Sequence, residues 1–267
     1  MISTFTHNVD VGDAEIHLEI TGTGPDLLLV AGLGGRGAFW HKQIQPFAEH
    51  FRVITFDHRG CGKSTPDKVA NGTEHMSKDV LAIMDAMEIE RAHLVGHSTG
   101  GAIGQQIALN APERLDKLVQ SCSWAGPDTY LTELFRCRRD ALINCGPLTY
   151  LTMGTYLAMP PRILQEQMSD ARAFMEERLS AFPGLEVELS RINAVCTHDL
   201  RSELHKIASP TLCIGAEDDG VTPPGFTEEL ARLIPKAQLH LLGSGGHFCP
   251  IAAAGAYNPR VLEFLRA

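Results

Sequence analysis

Short apolar runs recur along this chain, separated by turn residues and by stretches with helical spacing. Leu27-Leu28-Leu29-Val30-Ala31 is unbroken, the pattern of a strand buried on both faces, and Phe51–Phe56 repeats it; Ala92–Val95, Leu115–Ser121, Pro210–Gly215 and Ala237–Leu242 also read as strands. Between runs, Val80, Leu81, Ile83, Met84 and Met87 fall on one face of a helix over about residues 77–87, and the small-residue stretch 101–109 predicts another. The amphipathic segment Ile16-His17-Leu18-Glu19-Ile20 predicts an antiparallel edge hairpin with the strand that follows it. Strands alternating with helices predict an α/β fold with a mainly parallel sheet.

From about Gly126 to His205 the rhythm changes. The spacing becomes helical, with breaks at Gly146-Pro147, Pro160-Pro161 and Pro183-Gly184, and no strand pattern occurs. The expected organisation is a core of residues 1–125 and 206–267 interrupted by a helical cap over 126–205. No internal repeat or low-complexity segment is present.

Candidate chemistry sits where runs end. Gly96-His97-Ser98-Thr99-Gly100 follows one strand and opens the small-residue helix. This is the G-x-S-x-G elbow, in which a strained turn lifts the serine hydroxyl clear of the backbone. Such a serine needs an acid and a histidine, in that chain order. Ala216-Glu217-Asp218-Asp219-Gly220-Val221-Thr222-Pro223 supplies acids just past one strand, and Gly243-Ser244-Gly245-Gly246-His247 supplies a histidine just past the last. The oxyanion donors would be the N–H of Thr99, after the nucleophile, and of Leu33, in the loop after the first buried strand.

Two rival motifs are weaker. Gly32-Leu33-Gly34-Gly35-Arg36-Gly37, with Asp57 downstream, matches the dinucleotide fingerprint in outline and supports a nicotinamide-dependent oxidoreductase. It leaves the Ser, Asp and His series unexplained, and no tyrosine has a lysine four residues later. Gly60-Cys61-Gly62-Lys63-Ser64 ends like a P-loop, but the leading position holds Asp57.

Composition narrows the partners. The 267 residues are 44% hydrophobic and 21% charged, which suits one large domain or a core with an inserted subdomain. A net charge of −9 and a pI near 5.7, without a basic block, argue against nucleic acid and membrane surfaces. The residues Met1–His7 lack the features of a signal peptide, and no apolar run nears the roughly 18 residues of a membrane span. Seven cysteines without CxxC argue for a reducing cytoplasm, with Cys61, Cys122, Cys213 and Cys249 as buried packing residues. A small-molecule substrate and a monomer or homodimer are expected. Twelve histidines include no H-E-x-x-H or comparable cluster, so neither metal nor organic cofactor is expected.

Together these residues resemble the α/β-hydrolase superfamily over nearly the whole chain. Asp57-His58-Arg59-Gly60-Cys61-Gly62-Lys63-Ser64 is similar to that family's D-x-R-G-x-G-x-S turn. A closer resemblance, to the 3-oxoadipate enol-lactonase group and the aminoacrylate hydrolases of pyrimidine breakdown, rests on Ala31–Gly35 with Phe39-Trp40, on Asn110–Val119 and on Gly215–Pro224. It implies a small, cytosolic, cofactor-free catabolic hydrolase with helices on both faces of the sheet. Counting forward from Gly215 puts the family's acid on Asp218; counting back from Thr222-Pro223 puts it on Asp219, which is preferred. Ala31-Gly32 replaces the common His-Gly, and Ile251-Ala252 replaces a usual acidic residue.

The expected mechanism is an acyl-enzyme formed on Ser98, with His247 as base and Asp219 orienting it. The expected substrate is a small ester, enol-lactone or amide-like molecule bearing a carboxylate. Gly34 and Arg36 on the oxyanion loop, Trp40 and Trp124 beside it, and Arg136 and Arg139 in the cap (with Arg138 between them) are the candidate binding residues. A carbon–carbon hydrolase, lyase, perhydrolase, cofactor-free oxygenase or non-enzymatic receptor shares the scaffold and stays open at this stage.

Overall fold

The structure, a computed structural model, describes residues 2–65, 72–167 and 171–267. Eight strands form one sheet: β1 (Thr4–Asp10), β2 (Glu15–Thr21), β3 (Asp26–Val30), β4 (Arg52–Phe56), β5 (Ala92–His97), β6 (Leu115–Ser121), β7 (Thr211–Ala216) and β8 (Gln238–Leu242). Their order is β1-β2-β4-β3-β5-β6-β7-β8; β1 and β2 are antiparallel to their neighbours and the rest are parallel.

Side-chain alternation splits the core. Leu28, Val30, Ile54 and Leu94 face α2 (Gly72–Ala86), α3 (Thr99–Asn110) and α8 (Pro224–Leu233) through Val80, Ile83, Ile103, Ile107 and Leu230. Leu27, Leu29, Val53, Val95 and Leu212 face α1 (Ile44–Ala48) and α10 (Ala254–Arg266) through Phe47, Tyr257, Val261 and Phe264, with α9 (Cys249–Ala252) beside them. A strand sandwiched this way must be apolar at consecutive positions, which is why β3 reads as a continuous run.

The N-terminal hairpin differs from the expectation. β2 pairs with the preceding β1 and, on its other side, with β4, so it does not touch β3. Six of the seven β1 residues are exposed and only Val9 is buried, so β1 carries no alternation that a sequence could display.

Between β6 and β7 the described residues form α4 (Thr129–Ala158), α5 (Pro161–Gln167), α6 (Ala171–Ser180) and α7 (Leu185–Thr197). Asp128 caps α4 by accepting the Leu131 N–H at 2.8 Å. The helix breaks at Gly146 (φ 85°), because Pro147 supplies no N–H to continue it. This helical insert lies over the carboxyl ends of the strands, where Trp124, Phe135, Tyr150 and Ile192 pack with Leu33 and Phe248.

Just past α7, His198 ties the insert to the core. Its Nδ1 lies 2.9 Å from the Thr73 hydroxyl in α2 and its Nε2 lies 3.0 Å from Gln105 Oε1 in α3. Since Gln105 Oε1 can only accept, Nε2 carries the proton and Nδ1 accepts from Thr73. Burial pushes the His198 pKa down to about 4. The unfolded chain therefore binds a proton that the folded chain refuses between about pH 6.5 and 4, and stability falls as pH drops through that window. His198 alone accounts for about 3 kcal/mol across it. Urea unfolding at stepped pH should show this slope, and His198→Asn should flatten it by up to one proton.

Candidate active site

β5 runs into Ser98 and α3 leaves it, so the residue between must reverse the chain within one step. Ser98 does so with φ 54° and ψ −119°, a conformation costly for a residue with a Cβ. The flanking glycines are obligatory. A Cβ on Gly96 would stand 2.2 Å from the Gly100 carbonyl oxygen, and one on Gly100 2.1 Å from that of Val30. The turn is then locked: the Ser98 N–H donates to Ser121 O at 2.8 Å, and its carbonyl accepts from Gly101 N–H at 2.9 Å and Ser123 Oγ at 3.0 Å. Relief of strain makes a testable prediction. Ser98→Gly should melt about 2–4 °C above Ser98→Ala, corresponding to roughly 1 kcal/mol. Scanning calorimetry checks this, and equal melting temperatures would deny that strain is stored at this position.

His247 and Asp219 meet beside that turn, with the His247 ring 4.9 Å from the ring of His97, the residue before Ser98. His247 Nδ1 lies 2.9 Å from Asp219 Oδ2, with both side chains buried. The other carboxylate oxygen accepts from the Val221 and Thr222 N–H groups at 2.7 and 2.9 Å. Burial works against the Asp219 charge, but His247 and these two N–H groups outweigh it and hold the carboxyl below its ordinary pKa. With a carboxylate as acceptor, Nδ1 carries the proton and Nε2 is left with a lone pair. The Thr222 hydroxyl lies 3.0 Å from both Cys122 O and Asp219 Oδ2 and 3.2 Å from His247 Nδ1, bracing the pair. Asp218 points elsewhere. It accepts from Ser244 Oγ at 2.6 Å and Gly246 N–H at 2.8 Å, pinning the loop that carries His247.

The loop after β3 completes the arrangement. Gly32 abuts the elbow, since a Cβ on it would stand 3.1 Å from Ser98 Cβ. The Gly35 N–H donates to Gly32 O at 2.9 Å, and Gly35 O accepts from His58 N–H at 2.7 Å. Asp57 ties the next turn by accepting from Gly37 and Lys63 N–H, both at 2.9 Å. Arg59 is held by Asp79 and Asp13, each at 2.6 Å. The Asp57–Ser64 turn is thus scaffolding for the loop. The fingerprint glycines open into a 3₁₀ turn, Gly37–Trp40, in place of the phosphate-binding helix that a dinucleotide fold requires, and Asp57 is fully engaged.

A model of the α/β hydrolase fold family matches residues 25–253. The chain belongs to the α/β-hydrolase fold family. Among curated relatives, the protein named "Putative carbamate hydrolase RutD" from Azorhizobium caulinodans is 34% identical over 253 residues, spanning 95% of this chain and 96% of its own. A hydrolase of known structure from Pseudomonas aeruginosa superposes with a TM-score of 0.88 at 29% identity over 98% of both chains. The enol-lactonase from Burkholderia xenovorans superposes with a TM-score of 0.90 at 26% identity, covering 98% of this chain and 100% of its own.

The remaining candidates fall into distinct places in this α/β-hydrolase chain. Leu33 is half-buried, while Gly34 and Arg36 are exposed on the loop after β3, and Thr99 is the first residue of α3. Trp40 and Trp124, expected beside the site loops, are buried at 0% and 1% exposure. Trp40 packs edge-on against Phe39 and His97, and Trp124 against His198. Arg136 and Arg139 line a groove of about 760 Å³ between α4 and α7, together with Thr132, Phe135, Ile192 and Asn193. Arg136 is paired there with Glu133 and Asp140. Arg138 turns inward instead, its guanidinium 5.0 Å from the Phe135 ring and 4.7 Å from that of Tyr150.

Among the described residues, one group has the composition of a metal site: Cys122, Asp219 and His247, with atoms within 4.8 Å of one another. Its donors are already committed. Asp219 and His247 bond to each other, and the Cys249 thiol 3.5 Å away, together with burial, pushes the Cys122 pKa up so that the sulfur keeps its proton. The four cysteines expected to pack (Cys61, Cys122, Cys213, Cys249) are buried and free. Thr222 and Ser123, which brace the acid and the elbow, carry no signal in the sequence beyond being small hydroxyl residues near strand ends.

No helix among the described residues is long and apolar enough to cross a membrane.

Proposed function

We propose that this protein is a serine hydrolase acting through an acyl-enzyme on a small carboxylated ester, enol-lactone or amide-like substrate. The observation that carries this reading is the buried 2.9 Å contact between His247 Nδ1 and Asp219, beside a serine held at the tip of a strained elbow. Ser98 attacks the carbonyl, His247 Nε2 takes the hydroxyl proton and delivers it to the leaving group, and Asp219 stabilises the imidazolium. The Leu33 and Thr99 N–H groups receive the developing oxyanion, with Thr99 drawing on the free first turn of α3. The names of the carbamate hydrolase and enol-lactonase relatives support acyl chemistry on a small molecule. Seven free thiols suit a reducing compartment.

Intact-mass analysis after treatment with a fluorophosphonate tests the nucleophile. One adduct on the native chain and none on Ser98→Ala is expected; no adduct on the folded native chain would overturn the reading.

The arginines of the groove between α4 and α7 support an anionic substrate. The groove's residues Phe135 and Ile192 also belong to the apolar cluster that contains Leu33 and Phe248. Its two cations stand on a chain of net charge −9. Arg139→Ala should raise KM for an anionic ester about 3–5-fold while leaving a neutral analogue unchanged. Arg136→Ala should have less effect, because Glu133 and Asp140 already hold that guanidinium. Equal KM values for both esters in Arg139→Ala would remove the carboxylate from the proposal.

A further inference from the structure

We infer that Arg191, in the helical insert, is a positioning residue for the oxyanion hole: it fixes the peptide plane whose N–H belongs to Leu33. This rests on the proposed role of that N–H. Arg191 projects from α7 and is 1% exposed. Its Nε donates to Leu33 O at 2.6 Å and its Nη2 to Gly32 O at 3.0 Å. Nη2 also lies 3.5 Å from His58 Nδ1.

The Gly32 carbonyl and the Leu33 N–H are two ends of one peptide. No cis peptide bond occurs among the described residues, so the two groups point in opposite directions across a rigid plane. Whatever holds the Gly32 oxygen therefore aims the Leu33 N–H. Two donors hold it: Arg191 Nη2 from one side and the Gly35 N–H at 2.9 Å from within the loop. The second contact, to Leu33 O, fixes the following peptide with the other arm of the same fork. A cation on the carbonyl also polarises the amide, making its N–H a stronger donor.

The position is costly unless it serves something. A buried guanidinium gains most from a carboxylate, yet here its hydrogen bonds go to neutral carbonyls. Glu188, one turn earlier on α7, instead accepts from the Tyr150 hydroxyl. The loop packs closely on this side chain: a Cβ on Gly35 would stand 2.6 Å from Cys61 Sγ and 3.0 Å from Arg191 Nη2. The hole is consequently complete only when α7 is seated on the core.

Fluorophosphonate labelling of the full-length protein, followed by mass spectrometry, separates the maximal rate of phosphonylation, kinact, from reversible affinity, KI. Arg191→Ala should lower kinact by about 10–100-fold, with KI within threefold of wild type. Arg191→Lys should fall between, since a point charge can hold one carbonyl but not two. Added methylguanidinium should restore part of the lost rate in Arg191→Ala. Melting curves confirm folding, and Arg191→Gln and Arg191→Lys carry the test if the alanine variant melts below the assay temperature. A folded variant with unchanged kinact, or with a raised KI alone, overturns the inference and leaves Arg191 a structural staple. Failure of the wild type to label, or labelling of Ser98→Ala, overturns the underlying reading instead.

Discussion

Ser98→Ala is expected to lower turnover by about 10⁴–10⁶-fold while the protein stays folded. The substitution removes only the hydroxyl. The Ser121, Gly101 and Ser123 contacts that lock the elbow all involve the backbone of residue 98 and survive it. The Leu33 and Thr99 N–H groups proposed as the oxyanion hole also survive, so turnover should fall to a small residual above the uncatalysed rate. KM should change little, because ground-state binding does not need the hydroxyl. Steady-state kinetics on a purified variant with native melting behaviour checks this. Retention of more than a tenth of wild-type turnover would place the nucleophile elsewhere.

Asp219→Asn should cost about 10⁴-fold, and the geometry says why. Val221 and Thr222 present two N–H donors to one side of the carboxylate. In the amide these donors select the carbonyl oxygen, which leaves the NH₂ facing His247 Nδ1. That nitrogen must then accept, the ring proton moves to Nε2, and the imidazole loses the lone pair that takes the serine proton. Asp218→Asn is the matched control. It weakens the hold on Ser244 and Gly246 and should cost about tenfold or less, through looser placement of the His247 loop. Comparable losses in the two variants would refute the assignment of distinct roles to these neighbours.

Much of this architecture is legible in single residues. β3 and β7 are apolar at consecutive positions because both faces are covered, and the elbow glycines stand where a Cβ has no room. β1 is illegible because its residues face water. Choosing between Asp218 and Asp219 by counting depends on the anchor used. In space the two carboxylates diverge, one to the Ser244–Gly246 loop and one to His247. The arginine cluster shows the limit of reading by neighbourhood. Arg136 and Arg139 face the groove while Arg138 lies between two rings, a division set by helical phase and by Tyr150 on the far side of the Gly146 break. Arg191 leaves no trace at all. Its partners are backbone carbonyls 158 and 159 positions away, and a carbonyl has no residue type.

The insertion of a helical segment between β6 and β7 also governs how the protein is made. Ser98 and its elbow belong to the first part of the chain, while Asp219 and His247 follow strands that pair only after the whole insert has emerged. Closing so long a loop is slow, and the strand edge of β6 stays uncovered until β7 arrives. Refolding should therefore recover helical ellipticity well before reactivity toward a serine probe. Late arrival of β7 also makes the open β6 edge the expected point of aggregation during synthesis.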